Sequence, residues 1–198
     1  MLLERIIGAF TFRKEVYAEV EKDTEFTSTA WMLVAVISCL VQLGQFPGYG
    51  FGGIGAWLIA SVIRVVFSIG GFALGAFVVS WLGKKMFQAE TDFDEMVRVL
   101  GLAYVWNVVG VLGIVGIIPG LACILGPALL VLGIVAWVAG LVSWLFAAKE
   151  ALDLDWGSTA IVVVIAWAIG MALAGIAALI VSVLGFGAAA AASALQGG

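Results

Sequence analysis

Arg64 is the one ionisable residue set well inside an apolar stretch of this chain, the run from Ala56 to Leu82. At membrane depth a guanidinium costs at least about 2.5–3.5 kcal/mol, so it must face protein or water and find partners. The other apolar stretches contain no Asp or Glu. Its candidate partners are therefore neutral: Gln42, Gln45, Ser61, Ser68, Asn107, or carbonyls freed at glycine and proline breaks. Two readings stand side by side. In one, Arg64 meets an anion or a lipid headgroup within the bundle. In the other it is structural, hydrogen-bonded internally or extending its stem toward the outer interface. Asn107 reads as an interhelical hydrogen bond worth about 1–2 kcal/mol. With Gln42 and Gln45 these residues form a candidate intramembrane polar site.

A second concentration of chemistry lies at Lys84, Lys85, Glu90, Asp92, Asp94, Glu95 and Arg98, within the most strongly charged interruption of the apolar sequence (Gly83–Trp106). It is a candidate partner-binding loop. Its four carboxylates suit a hard cation, but the glycine-centred spacing of a calcium loop is missing. They read better as a solvated loop leading into a helix N-terminus, where negative charge meets the positive end of the helix dipole.

Much chemistry is excluded. The chain has no histidine, which removes the commonest general base and transition-metal ligand and rules out a Ser–His membrane protease. Cys39 and Cys123 both sit in apolar segments and read as small buried hydrophobes. No phosphate-binding loop, Cys/His cluster or intramembrane acidic relay is evident, so neither an enzyme nor a cofactor is expected.

The elements that must position these residues are membrane spans. Hydrophobic residues make up 64% of the 198, charged residues 11%, and mean hydropathy is +1.22. Ordinary globular chains carry about 25% charged residues, and apolar runs longer than about 18 residues recur here. The expected fold is an all-α integral membrane protein with five transmembrane helices. The spans fall at Ala30–Gln45, Ala56–Leu82, Met96–Ile118, Leu121–Ala148 and Ser158–Leu184. Thr27–Thr29 are expected to start the first and Ser158 to cap the fifth. Gly71 and Gly75 have a spacing for close helix packing, within the bundle or in a dimer.

Three segments organise the chain: an N-terminal amphipathic stretch (1–28), a membrane domain (29–186) and a low-complexity Ala/Ser/Gly tail (187–198). The first places Leu2, Leu3, Ile6, Ile7 and Phe10 at helical spacing, then Val16, Tyr17 and Val20, with charges opposite. It stays mixed and acidic, unlike a signal peptide. Of nine Lys and Arg, eight lie in 1–25, 84–98 and at 149. With five spans these segments share one side, which the positive-inside rule makes cytoplasmic, giving an N-in/C-out topology. All thirteen acidic residues share that side, which argues against a polybasic lipid-binding surface.

Three blocks carry a family likeness: Glu4–Ala30, Phe93–Tyr104 (Phe-Asp-Glu-Met-Val-Arg-Val-Leu-Gly-Leu-Ala-Tyr), and Lys149–Leu154 followed by Ser158-Thr-Ala160. In order and topology the chain resembles the Ypt-interacting protein (Yip) family, specifically its short prokaryotic members. The resemblance implies a five-span bundle with a cytoplasmic N-terminus in a prokaryotic cytoplasmic membrane. Eukaryotic relatives act in vesicle traffic, binding Rab-type GTPases and one another. Its implied partners are the bilayer, further copies or other membrane proteins, and no nucleic acid. One departure stands out: Val105-Trp106 replaces a proline common after the aromatic position, which predicts a straighter third helix.

Two functions follow: a non-enzymatic membrane adaptor or organiser presenting the N-terminal segment and the 83–95 loop, or a small channel or transporter (or a lipid-binding protein) with Arg64 as its polar intramembrane element.

Overall fold

The computed structural model describes residues 2–49 and 53–196, the side chains of 119 and 186–196 excepted. Among the described residues every regular element is helical. Two short helices, α1 (Leu2–Phe10) and α2 (Lys14–Lys22), precede α3 (Phe26–Gln45), a 3₁₀ turn (Phe46–Gly48) and α4 (Ile54–Phe87). Then come α5 (Phe93–Ala103), a 3₁₀ helix (Tyr104–Ile117), α6 (Pro119–Leu152) and α7 (Trp156–Gln196). Five helical segments are long and apolar enough to cross a membrane: Phe26–Gly48, Ile54–Phe87, Phe93–Ile117, Gly120–Leu152 and Trp156–Gly185. The uncharged loop expected at 46–55 includes residues 50–52, which lie outside the described residues, as do 197–198 of the low-complexity segment.

The helix ends at the charged pole are built by side chains. Asp92 Oδ1 accepts the Glu95 backbone N–H (2.6 Å) while Glu95 Oε2 accepts that of Asp92 (3.1 Å), a reciprocal box that starts α5. Asp155, not Ser158, starts α7: its carboxylate accepts from the backbone N–H groups of Gly157 and Ser158 and from the Ser158 hydroxyl. Likewise α3 begins at Phe26, so Thr27–Thr29 lie inside the helix rather than capping it. Phe12, Gln88 and Asp153 end α1, α4 and α6 with positive φ (54°, 59° and 50°). Glycine takes that conformation more cheaply. At Phe12 a ring stack on Trp106, with centroids 5.5 Å apart, offsets the cost.

The core is built around α5. Met96, Val97, Val99, Leu100, Leu102 and Ala103 are fully buried, and α1, α2, α3, α4 and α6 all pack on this helix. The α2 helix buries Val16, Tyr17 and Val20, and the Tyr17 hydroxyl meets Ser143 Oγ at 2.6 Å inside α6. Burial pushes the Tyr17 phenol up to about 12.

The third span departs from the expected straight α-helix. It changes to 3₁₀ geometry at Tyr104 and keeps it for 14 residues, where runs beyond 3–4 are uncommon. The sequence offers a reason: Tyr104, Asn107, Gly110, Gly113 and Gly116 recur every third residue. At 3.0 residues per turn such a row lies on one face, and that face meets α3. Tyr104 bonds Ser38, Gly110 abuts Val41, Gly113 abuts Gly44 and Gly116 abuts Pro47. The backbones of α3 and the 3₁₀ helix approach so closely that no Cβ fits between Gly44 and Gly110. Gly75 opens space for the Trp144 ring, 3.0 Å from where its Cβ would stand, so its small size serves packing within the bundle. Cys39 and Cys123 are free and exposed rather than buried; both lie within the membrane-spanning segments.

Candidate functional site

All five spans contribute to one cavity of about 530 Å³. Its polar wall comprises Gln42 and Gln45 from α3, Arg64 and Ser68 from α4, and Tyr104 and Asn107 from the 3₁₀ helix. The four intramembrane residues singled out in the sequence therefore line one space. Opposite them stand aromatic rings, Trp137 and Trp144 from α6 and Trp167 from α7, packed edge to face with centroids 5.2 and 6.5 Å from that of Trp167. The space exists because α7 presents Ala166, Gly170, Ala174 and Ala178 at intervals of four, a row on one helix face. A Cβ built at Gly170 meets nothing within 4 Å.

Most polar groups of the wall are satisfied locally. Ser38, Ser68 and Tyr104 share a hydroxyl triangle with sides of 3.2, 3.2 and 2.5 Å. Gln42 Nε2 donates to the Ser38 carbonyl, and Trp57 Nε1 donates to the carbonyl of Gln42. Among the described residues Asn107 makes no interhelical bond: its Nδ2 donates to the Tyr104 carbonyl one turn back. The expected hydrogen bonds from Arg64 to Gln42, Gln45, Ser61, Ser68 or Asn107 do not form. Its guanidinium instead lies over the Tyr49 ring at 5.8 Å, a cation–π contact. Arg64 Nη1 and Gln42 Oε1 are shielded from solvent and have no hydrogen-bond partner among the described residues. Ser61 Oγ is also without one, but Ser61 does not line the cavity.

The charged pole is a second unit. Arg5 joins α1 to α2 through Glu19 and Asp23, both at 2.7 Å, and the guanidinium holds the Asp23 carboxyl below its ordinary value. Arg98 does not face outward with the loop, as the sequence suggests. It is buried, donating from Nε (2.9 Å) and Nη2 (2.6 Å) to the Glu21 carbonyl and from Nη1 to Thr27 Oγ1 (3.3 Å). Its placement on the inner face of α5, with Met96 and Val97 beside it, makes it a clamp for the end of α2. Glu95 is engaged in the helix cap and accepts from the Thr91 hydroxyl as well. Lys84, Lys85, Glu90, Asp92 and Asp94 remain exposed, with Lys85 over the Trp81 ring at 5.4 Å. No group of three potential metal ligands occurs among the described residues.

One acid at this pole titrates near neutrality. Burial, then the facing carboxylates Glu95 and Asp153, push Glu21 from 4.5 up to about 7, with Lys22 opposing. The folded protein thus keeps a proton that the unfolded chain releases, and stability should fall as pH rises from about 5 to about 7. Melting temperature in detergent should decline across that interval and level off above it. Glu21→Gln should flatten the profile there; an unchanged slope in that variant would remove Glu21 as its source.

Sequence reasoning missed the period-three row of the third span and the small-residue row of α7, although both are legible as spacings. It placed Arg98 in the partner-binding loop and missed its inward role, for which no local signal exists.

The Yip1 domain model matches residues 7–177 of the chain. No curated protein and no solved structure matches it.

Proposed function

The chain belongs to the Yip1 domain family, and from that premise we propose that it is a non-enzymatic adaptor of the cytoplasmic membrane with its N-terminus inside the cell. The observation that carries the reading is the Arg98 clamp. By fastening α2 to the start of the third span, it joins the N-terminal helices and the Gly83–Glu95 connection into one rigid face. That face presents Lys84, Lys85, Glu90, Asp92 and Asp94 to a partner. Eight of the nine basic residues belong to it or to Lys149, which favours a cytoplasmic position. Its overall acidity favours a protein partner over anionic lipid. Self-association through the fourth span is part of the reading: Ile124, Leu130, Val131, Ile134 and Val135 all turn away from the bundle.

The test is affinity purification from native membranes in mild detergent, comparing wild type with a variant that reverses Lys84, Lys85, Glu90 and Asp94. Asp92 and Glu95 are left intact because they cap α5. The variant should lose a stoichiometric protein partner while eluting as the wild type does. An identical set of copurifying proteins from both would sink the adaptor reading.

A further inference from the structure

Arg64 carries a charge that the protein does not balance. Among the described residues it has no salt bridge, its Nη1 is shielded without a hydrogen bond, and one tyrosine face is its nearest electrostatic partner. Ten of the thirteen acidic residues lie outside the five spans, and the other three, Asp94, Glu95 and Glu150, lie within three residues of a span end at the charged pole. An unpaired guanidinium at membrane depth is costly and is relieved by a counter-ion. Gln42, only 6% exposed, lines the same cavity. One side of this space thus carries a cation without an anion. Gln45, Ser68, Tyr104 and Asn107 complete the polar wall, and the rest of the lining is apolar, with Trp137 and Trp144 from α6 and Trp167 beside the small-residue row of α7. At about 530 Å³ the space falls within the usual range of about 300–1,000 Å³ for small-molecule sites.

We propose that this cavity binds an anionic amphiphile: a phosphate-type headgroup paired with Arg64, its apolar portion held among the tryptophans and the small-residue row of α7. Charge fits the guanidinium, and the row Ala166, Gly170, Ala174, Ala178 leaves the width that a chain requires. The site is remote from the charged pole and independent of any partner bound there.

The same phosphate chemistry could arrive on a membrane lipid or as a free ion, and the experiment separates them. Wild type, Arg64→Gln, Arg64→Lys and Gly170→Trp would be placed in nanodiscs of mixed phosphatidylglycerol and phosphatidylcholine. Lipid retained after transfer to detergent would be counted by native mass spectrometry. Inorganic phosphate binding would be measured by calorimetry in phosphatidylcholine discs. Wild type should retain phosphatidylglycerol selectively and Arg64→Lys should keep most of it. Arg64→Gln should lose roughly tenfold in affinity, the factor given by about 1.4 kcal/mol of lost ion pairing. Gly170→Trp puts a ring where a Cβ meets open space, so it should block binding with Arg64 intact, and it decides the matter if Arg64→Gln fails to fold. Phosphate binding that depends on Arg64 without retained lipid would uphold the anion site and assign it to a solute. Equal retention by wild type and a folded Arg64→Gln, failure of Gly170→Trp to reduce it, or equal retention of both lipids would overturn the proposal.

Discussion

Arg98→Met is expected to lower stability by about 2–4 kcal/mol and to release the N-terminal helices from the bundle. Arg98 satisfies the Glu21 carbonyl with two N–H groups and reaches Thr27 with a third. Hydrogen bonds to a charged donor are worth about 1.5–3 kcal/mol, and a shielded carbonyl left without a partner adds a further cost. Methionine fills much of the volume, so the loss measured is mainly polar. Arg98→Lys should recover only part of it, because an ammonium lacks the planar fork that addresses one oxygen from two nitrogens. The melting temperature in detergent should drop by roughly 5–15 °C, and amide exchange in residues 14–22 should accelerate more than in α4. Unchanged protection of α2 in Arg98→Met would show that its buried Val16, Tyr17 and Val20 hold it without the clamp.

Gly44→Ala is expected to be comparably damaging for the opposite reason, excess rather than absence. The new methyl group would overlap the carbonyl oxygen of Gly110, a backbone atom that cannot rotate away as a side-chain end can. Overpacking costs about 1–3 kcal/mol where neighbours can shift, and more where they cannot. Gly113→Ala should behave alike, its Cβ falling 2.5 Å from the Gly44 carbonyl oxygen. Gly133 supplies the control: a Cβ there meets nothing within 4 Å, and alanine in an open helical site is favourable by up to about 1 kcal/mol. Thermal melting of the three variants should therefore separate, with Gly133→Ala at or above wild type. If Gly44→Ala melted with Gly133→Ala, the contact between α3 and the 3₁₀ helix would be looser than its geometry indicates.

These two residues also mark how far the sequence can be read. Arg98 lies among charged neighbours, so its type and position suggest a surface residue; that it turns inward depends on α2 folding back across α5, a contact between residues 77 positions apart. Gly44 looks like any of 26 glycines until the third span brings Gly110 against it. The polar site was more legible. Gln42, Gln45, Arg64 and Asn107 are conspicuous because each is costly in an apolar run, and they share one cavity. Their hydrogen bonds were not legible, since rotation about each helix axis decides which polar ends meet; Asn107 bonds its own turn and Arg64 bonds no side chain of the wall.

By itself the sequence determined that five segments can cross a membrane, where charge collects along the chain, and which family it resembles. Hydropathy, charge and motif are properties of contiguous residues, and the bilayer acts on them segment by segment. Only the tertiary structure decided the 3₁₀ form of the third span, the burial of Arg98, and the unfilled space beside Arg64. Each of these depends on which helix faces which neighbour, and at what distance. That follows from side-chain shapes meeting across the bundle, where one methyl group at Gly44 or one ring at Trp144 sets how closely two helices approach.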